Sequence, residues 1–358
     1  MRARCGRGAS TSRCSTRKTP GASRCGPSAE RTEFPMSDLI EATIVATARP
    51  CPDVAQIDLL PHGEGIVFEP GGHIDVHLPL EGGVQVRSYS HVAIGPDRSL
   101  RIAVKLLPDS RGGSRAMGRL RPGDRIRISA ARNDFPLSFA APRHAFLAGG
   151  IGITPILAQA RALKAAGRGF TLHYCVRDRA SGPWIAEMEA EFGASFTLHD
   201  DSAQGLLDAR AFVAALDPET ELYMCGPYPM MAAVKSAWAA AGRAPARLRY
   251  ESFANSGASE SVPFSVRVVE TGAEVTVRRD QSLLDALLMA GQPVMYDCRR
   301  GECGLCKVEI EEIDGDIDHR DVFLGDQGRK GALCACVSRL RGGTAQIRID
   351  SISHGPSV

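Results

Sequence analysis

The sequence predicts three domains in series: an all-β barrel or sandwich, an α/β domain with a parallel sheet, and a small α+β module of β-grasp type. Three observations lead there. Short alternating strands broken by Gly/Pro turns fill residues 37–142. From His144 the period changes to short buried strands alternating with helices, as far as Glu251. From Phe264 the order becomes strand, strand, helix, cysteine-rich loop, strand. A chain of 358 residues is also too long for a single hydrophobic core.

Residues 1–35 come first, rich in Arg, Ser, Gly and Pro, with eight Lys/Arg against two Asp/Glu. They offer too little apolar surface to fold and contain no apolar stretch of the kind a secretory signal needs. Met36 is the expected start, and 1–35 an unstructured tail. In the first domain the expected strands are 42–46, 66–68, 73–78, 100–104 and 125–129. Two features stand out there. The tetrapeptide Arg87-Ser88-Tyr89-Ser90 lies on a strand, and Gly112-Gly113-Ser114 opens a short helix. Glycines at a helix start leave free N–H groups for a phosphate, and Arg87 is placed to clamp it. Alone, each is most often an ordinary strand or turn.

The second domain begins with a buried strand at 144–148. It runs into Gly149-Gly150-Ile151-Gly152-Ile153-Thr154-Pro155 and then an Ala/Leu-rich helix to about residue 166. Thr154 is the expected N-cap and Pro155 the first helical residue. Strand, glycines, helix is the layout that aims a helix N-terminus at a pyrophosphate. Further strands are expected at 170–176, 195–199, 221–224 and 247–251, with helices near 184–192, 207–216 and 229–241. Cys225-Gly226-Pro227 follows a strand's C-terminal end, where ligands bind in parallel sheets. A lone cysteine such as Cys225 is more often a small buried apolar residue. Arg177, Asp200 and Asp201 end neighbouring strands, placed either to meet an adenosine ribose or to be solvated.

Residues 254–261 are polar and read as a linker. Strands at 264–269 and 274–277 precede a helix capped by Ser282, with Asp285 three residues on and Gly291 closing it. Then comes the most specific signal in the chain. Cys298, Cys303 and Cys306 are spaced Cys-x4-Cys-x2-Cys, and Cys336 follows after 29 residues. That is the plant-type spacing for a [2Fe–2S] cluster. Gly301 and Gly304 let the loop close so that amides point at sulfur. Zinc sites favour paired Cys-x2-Cys halves, and nothing supports a disulfide framework. Glu309, Glu311, Glu312, Asp314, Asp316, Asp318 and Asp321 form an acidic run, read as a solvated face or as a steering patch for a basic partner.

Composition narrows the function. Without 1–35 the chain is slightly acidic, which gives no reason to expect nucleic-acid binding. No apolar run reaches the ~18 residues of a membrane helix. Eleven cysteines, several spaced as thiolate ligands, point to a reducing compartment, the cytoplasm.

Together RSYS, GGS, GGIGITP, CGP and the C-terminal cysteines resemble the phthalate dioxygenase reductase family, which includes the vanillate O-demethylase oxidoreductase component. The likeness spans about residues 38–350, in the order flavin, nicotinamide, iron–sulfur. It implies an antiparallel β-barrel that binds FMN at 36–142, an α/β ferredoxin-reductase-like domain that binds NADH at 143–254, a linker at 255–262, and a β-grasp [2Fe–2S] ferredoxin domain at 263–358. Arg87, Tyr89 and Ser90 are then expected along FMN, with Gly112, Gly113 and Ser114 at its phosphate. Gly149, Gly150, Gly152 and Thr154 are expected at the coenzyme pyrophosphate. Cys225, Glu251 and Phe253 belong near the nicotinamide, with Cys225 and Ser90 as catalytic candidates. Cys298, Cys303, Cys306 and Cys336 are the implied iron ligands. Cys334, an extra thiol, departs from the pattern, as does the tail. NADPH stays open as coenzyme. The implied partner is a Rieske-type oxygenase of aromatic catabolism, served by a monomer; a cytochrome P450 acceptor and a non-enzymatic ferredoxin-like carrier are the alternatives.

Overall fold

A computed structural model describes residues 39–63, 67–80, 83–108, 112–253, 262–279, 281–299, 301, 303–321, 323–324 and 328–349. The tail 1–35 and the 254–261 linker lie outside them.

The first strands are β1 (Ile40–Cys51), β2 (Val54–Pro61), β3 (His73–Leu80), β4 (Gly83–Ile94) and β5 (Leu100–Lys105). Helix α1 (Gly113–Met117) and β6 (Arg125–Ile128) complete the unit. The strands close into an antiparallel barrel in the order β1-β2-β5-β4-β3-β6, so barrel rather than sandwich is correct. Alternation builds it: in β6, Arg-Ile-Arg-Ile reads exposed, buried, exposed, buried. The inward set, including Ile44, Ile57, Leu59, Ile74, Val76, Leu100, Ile102 and Ile128, fills the interior. The expected strand at 66–68 does not form. Val67 and Phe68 carry no strand pairing, and Phe68 packs edge-on against His91 instead; residue 66 lies outside the described residues.

The α/β domain comprises β7 (Arg143–Gly149), α2 (Ile153–Ala165), β8 (Phe170–Val176), α3 (Ile185–Phe192) and β9 (Phe196–Asp200). It continues with α4 (Asp201–Gln204), α5 (Ala209–Ala215), β10 (Thr220–Cys225), α6 (Tyr228–Ala240) and β11 (Leu248–Glu251). Its sheet is wholly parallel in the order β11-β10-β7-β8-β9. The central strands β7 and β10 are buried along nearly their whole length because helices cover both faces. One of those cores continues into the barrel: Cys51, Val54, Val92, Ala103 and Phe135 pack with Phe146, Ile153 and Trp184. The indole N–H of Trp184 donates to Gln56 across the same boundary, at 3.1 Å.

The C-terminal module holds β12 (Phe264–Val268), β13 (Glu274–Val277), α7 (Leu283–Met289), β14 (Lys307–Asp314), β15 (Ile317–Asp318), β16 (Ala332–Cys334), β17 (Arg339–Leu340) and β18 (Thr344–Ile349). The five-stranded sheet runs β13-β12-β18-β14-β16, with β15 and β17 paired separately. Ser282 caps α7, its hydroxyl accepting from the Asp285 amide at 3.0 Å, and Gly291 takes φ +70 just past the end. The core is self-contained, with Leu283, Leu284 and Leu287 of α7 against Val266, Val308, Leu333 and Ile347. Arg339 is the largest fully buried side chain. It donates to the carbonyls of Val262, Arg278 and Gln281 and lies 5.1 Å from the Phe264 ring. One guanidinium thus holds the entry to β12 and the turn before α7.

Candidate redox site built from three loops

The barrel contributes β4. Arg87 lies along it with its guanidinium across Gly113: a methyl at Gly113 would sit 3.1 Å from Arg87 Nε. Gly112 takes φ +100 to turn into α1, a conformation that glycine adopts without strain. Arg87 and Gly112-Gly113-Ser114, 25 residues or more apart in sequence, therefore meet. Arg87 also donates to Val86 O at 2.8 Å and Gln85 Oε1 at 2.6 Å, which fixes its plane. Tyr89 packs against the barrel core, and burial pushes its phenol pKa up.

At the C-terminal ends of β7 and β10 the two glycine loops touch. Cys225 pairs with Ala148 on one side and Glu251 on the other. A methyl at Gly152 would lie 2.5 Å from the Cys225 carbonyl carbon and 2.8 Å from Gly226 N; one at Gly149 would meet Pro227 Cδ at 2.5 Å. The glycines are thus needed for close approach as well as for any phosphate. Gly150 and Gly152 bracket a 3-10 turn that already starts α2 at Ile153. Thr154 is therefore inside the helix and not its cap, and Pro155 is not its first residue. The Thr154 hydroxyl donates back to Ile151 O at 3.0 Å. Tyr174 donates to Gly150 O at 3.0 Å, a brace the sequence does not reveal. Ser90 Oγ donates to Glu251 Oε2 at 3.3 Å, joining the barrel strand to the end of β11. Phe253 packs against the shared core just beyond. Asp200 caps α4, accepting from Ser202 N at 3.0 Å and from Arg179 N at 3.0 Å. It is not simply a solvated charge.

The third loop carries the cysteines. Cys298, Cys306 and Cys336 are buried and Cys303 is half-exposed. The Cys303 amide donates to Cys298 Sγ at 3.4 Å. Gly301 and Gly304 take φ +75 and +76. A methyl at Gly301 would meet Val337 Cγ2 at 2.6 Å and Asp321 Cα at 2.9 Å, and one at Gly304 would drive into the Phe323 ring. Hydrogen bonds from Cys334 and then Cys336 hold the Cys306 thiol well below its ordinary range, while both donors are pushed up by that bond and by burial. Among the described residues no three His, Cys, Asp or Glu side chains close on one metal ion. A two-iron cluster spreads its four thiolates in pairs over two irons. Thiols converging from the loop and from beyond β16, an amide aimed at sulfur, and glycines that admit no Cβ fit such a cluster. Cys334 lies among these thiols too, so the fit does not separate it from Cys336.

Polar contacts place this loop against the rest. Arg132 of the barrel bonds Asp75 and reaches Asp297 Oδ1 at 3.5 Å. Arg299 pairs with Asp285 at 2.8 Å and lies 4.5 Å over the Tyr296 ring. Burial opposes the charge of Asp285, yet Arg299, Ser282 and Arg87 hold its carboxyl below the usual range, so the Arg87 loop and α7 lie within electrostatic reach. Arg329 donates to Tyr228 at 3.0 Å, linking the iron–sulfur module to the start of α6. The acidic run is not one face: Glu309, Glu311, Glu312, Asp314 and Asp316 are exposed, but Asp318 and Asp321 are buried.

Comparison with known proteins agrees with this fold. Residues 266–341 match the model of the 2Fe-2S iron-sulfur cluster binding domain. The chain is 38% identical over 275 residues to the heme-dependent oxidative N-demethylase beta subunit of Ectopseudomonas mendocina, covering 76% of this chain and 86% of that one. It is 37% identical over 314 residues to the vanillate O-demethylase oxidoreductase of a Pseudomonas species, covering 85% and 98%. The solved structure of phthalate dioxygenase reductase, described as modular for electron transfer from pyridine nucleotides to [2Fe–2S], superposes with a TM-score of 0.73 at 30% identity, over 88% of this chain and 98% of that one.

Proposed function

We propose a function for this chain from one premise: it belongs to the phthalate dioxygenase reductase family. It is an NAD(P)H-dependent flavin and iron–sulfur oxidoreductase, the reductase component of an oxygenase system. When bound, the cofactors carry the redox chemistry, the flavin taking a hydride's electron pair and passing electrons singly to the cluster. The protein orients them. Arg87 with Gly112, Gly113 and Ser114 clamps the FMN phosphate, and Tyr89 and Ser90 line its ring. Gly149, Gly150, Gly152 and Thr154 receive the pyrophosphate of NADH. Cys225, Glu251 and Phe253 surround the nicotinamide, with the Ser90–Glu251 hydrogen bond tying that pocket to the flavin strand. Cys298, Cys303, Cys306 and Cys336 ligate the cluster, and Cys334 is a buried non-ligand. The domain limits are those given by the sequence: 36–142, 143–254 and 263–358.

The observation that carries this reading is the meeting of two loop systems. The Gly149–Gly152 turn seats against Cys225 and Gly226 at the C-terminal ends of the central strands β7 and β10, and the Arg87 guanidinium lies across Gly113. We place the chain in the cytoplasm as a monomer. None of its described cysteines is in a disulfide, and no helix among the described residues is long and apolar enough to cross a membrane. The acceptor we favour is a Rieske-type oxygenase of aromatic compounds; the relatives named vanillate O-demethylase oxidoreductase and phthalate 4,5-dioxygenase oxygenase reductase subunit support an oxygenase acceptor. A haem acceptor is the second reading, favoured by the heme-dependent demethylase relative and by a self-sufficient cytochrome P450 that matches at TM-score 0.60. The test is an anaerobic visible spectrum. Flavin bands and broad iron–sulfur absorption should both bleach on adding NADH; a protein without flavin would be a carrier, and a colourless one would end the proposal.

A further inference from the structure

We propose that Asp321 is the positioning residue of the iron–sulfur loop, bracing it and placing a fixed negative charge behind it. The inference rests on the cluster assignment above. Asp321 is fully buried. Its neighbours of like charge, Arg320-paired Asp318 apart, face water. Ser338, two residues beyond Cys336, donates its hydroxyl to Oδ1 at 2.8 Å, and the Leu324 amide donates to Oδ2 at 3.0 Å. His319 Nδ1 stands 3.7 Å from Oδ1. On the other side the Asp321 backbone fills the space next to Gly301, whose carbonyl accepts from Phe323 N at 3.1 Å. Arg329, which holds Tyr228, bonds the Asp321 carbonyl at 2.8 Å, and its charge also favours the ionised carboxylate. Asp321 thus joins the two cysteine segments: its side chain holds the segment beyond Cys336, and its backbone packs on Gly301, between Cys298 and Cys303.

Burying an ion is costly unless its lone pairs are met. Burial here is opposed by His319, Ser338 and the Leu324 amide, which keep the carboxyl below its ordinary range. An asparagine is nearly isosteric but offers only one acceptor oxygen where the carboxylate meets both the Ser338 hydroxyl and the Leu324 amide, and it removes the charge. A negative charge near a centre about to gain an electron disfavours that gain, so its removal favours reduction.

The experiment uses the loaded full-length chain. In D321N the cluster midpoint potential should rise, with a tenfold larger electron share on the cluster at fixed ambient potential, about 59 mV for a one-electron couple. Iron release to a chelator should also quicken. S338A keeps the charge but loses the hydroxyl, so it should release iron faster without the upward shift; it carries the test if D321N does not fold. D321N with the parent potential, or S338A with the parent release rate, overturns the inference alone. A parent protein without acid-labile sulfide overturns the proposed function as well.

Discussion

Replacing Gly152 with alanine puts a methyl 2.5 Å from the Cys225 carbonyl carbon, closer still to its oxygen, and 2.8 Å from Gly226 N. Ordinary carbon contacts begin near ~3.5 Å, so the two loops must part by about 1 Å. Both are backbone, so no side chain can turn aside. Gly152 itself has φ −62, which alanine adopts freely; the whole penalty is steric. Overpacking of this kind costs about 1–3 kcal/mol. The functional cost is larger, because misplacing reacting groups by about 1 Å loses on the order of 100-fold in rate. Gly169→Ala is the control, since nothing lies within 4 Å of its methyl. Stopped-flow reduction of the flavin by NADH should slow about 100-fold in Gly152→Ala and stay unchanged in Gly169→Ala. Reduction by dithionite, which needs no nucleotide site, should be equal in both. A folded Gly152→Ala that accepts hydride at the parent rate would refute the account of this junction.

Three other outcomes are expected. Arg87→Ala should weaken flavin retention about 10–100-fold by equilibrium dialysis, the worth of a lost charge-assisted phosphate contact; a fully loaded variant contradicts the clamp. Cys303→Ser should abolish reduction of one-electron protein acceptors while NADH-driven flavin reduction persists, because Cys303 bonds within its own loop, to Cys298 Sγ. Burial, and then His199 at 3.1 Å, lowers His173 to about 4. The unfolded chain, near 6.5, then binds the extra proton, so this stability is whole above about pH 6.5 and drains as pH falls towards 4. After allowance for partial solvation the loss is about 1–2 kcal/mol, and His173→Gln should flatten the drop in urea midpoint between pH 7 and pH 5.

The cysteine loop was legible because cluster chemistry imposes its spacing on the chain, and the glycines at 301 and 304 carry the conformations that spacing demands. The parallel sheet was legible for a similar reason, strands buried on both faces reading as unbroken apolar runs. Thr154 was misplaced because the sequence shows a good cap but not the 3-10 turn that starts the helix sooner. The expected strand at 66–68 has the residues for one but no partner strand. The braces were hidden altogether. Arg132 meets Asp75 across 57 positions and Arg329 meets Tyr228 across 101. No local pattern announces such pairs, since only the fold brings them together. Asp321 looked like one more charge in an acidic run until burial set it apart.

The central claim is that one polypeptide divides an electron pair between a two-electron and a one-electron centre. Anaerobic titration with NADH, followed by visible absorption and low-temperature paramagnetic resonance, tests it most directly. The account predicts uptake of about three electrons per chain, two at the flavin and one at the cluster, with an iron–sulfur resonance growing in as the flavin bleaches. Uptake that stops at about two electrons with no such resonance would contradict it.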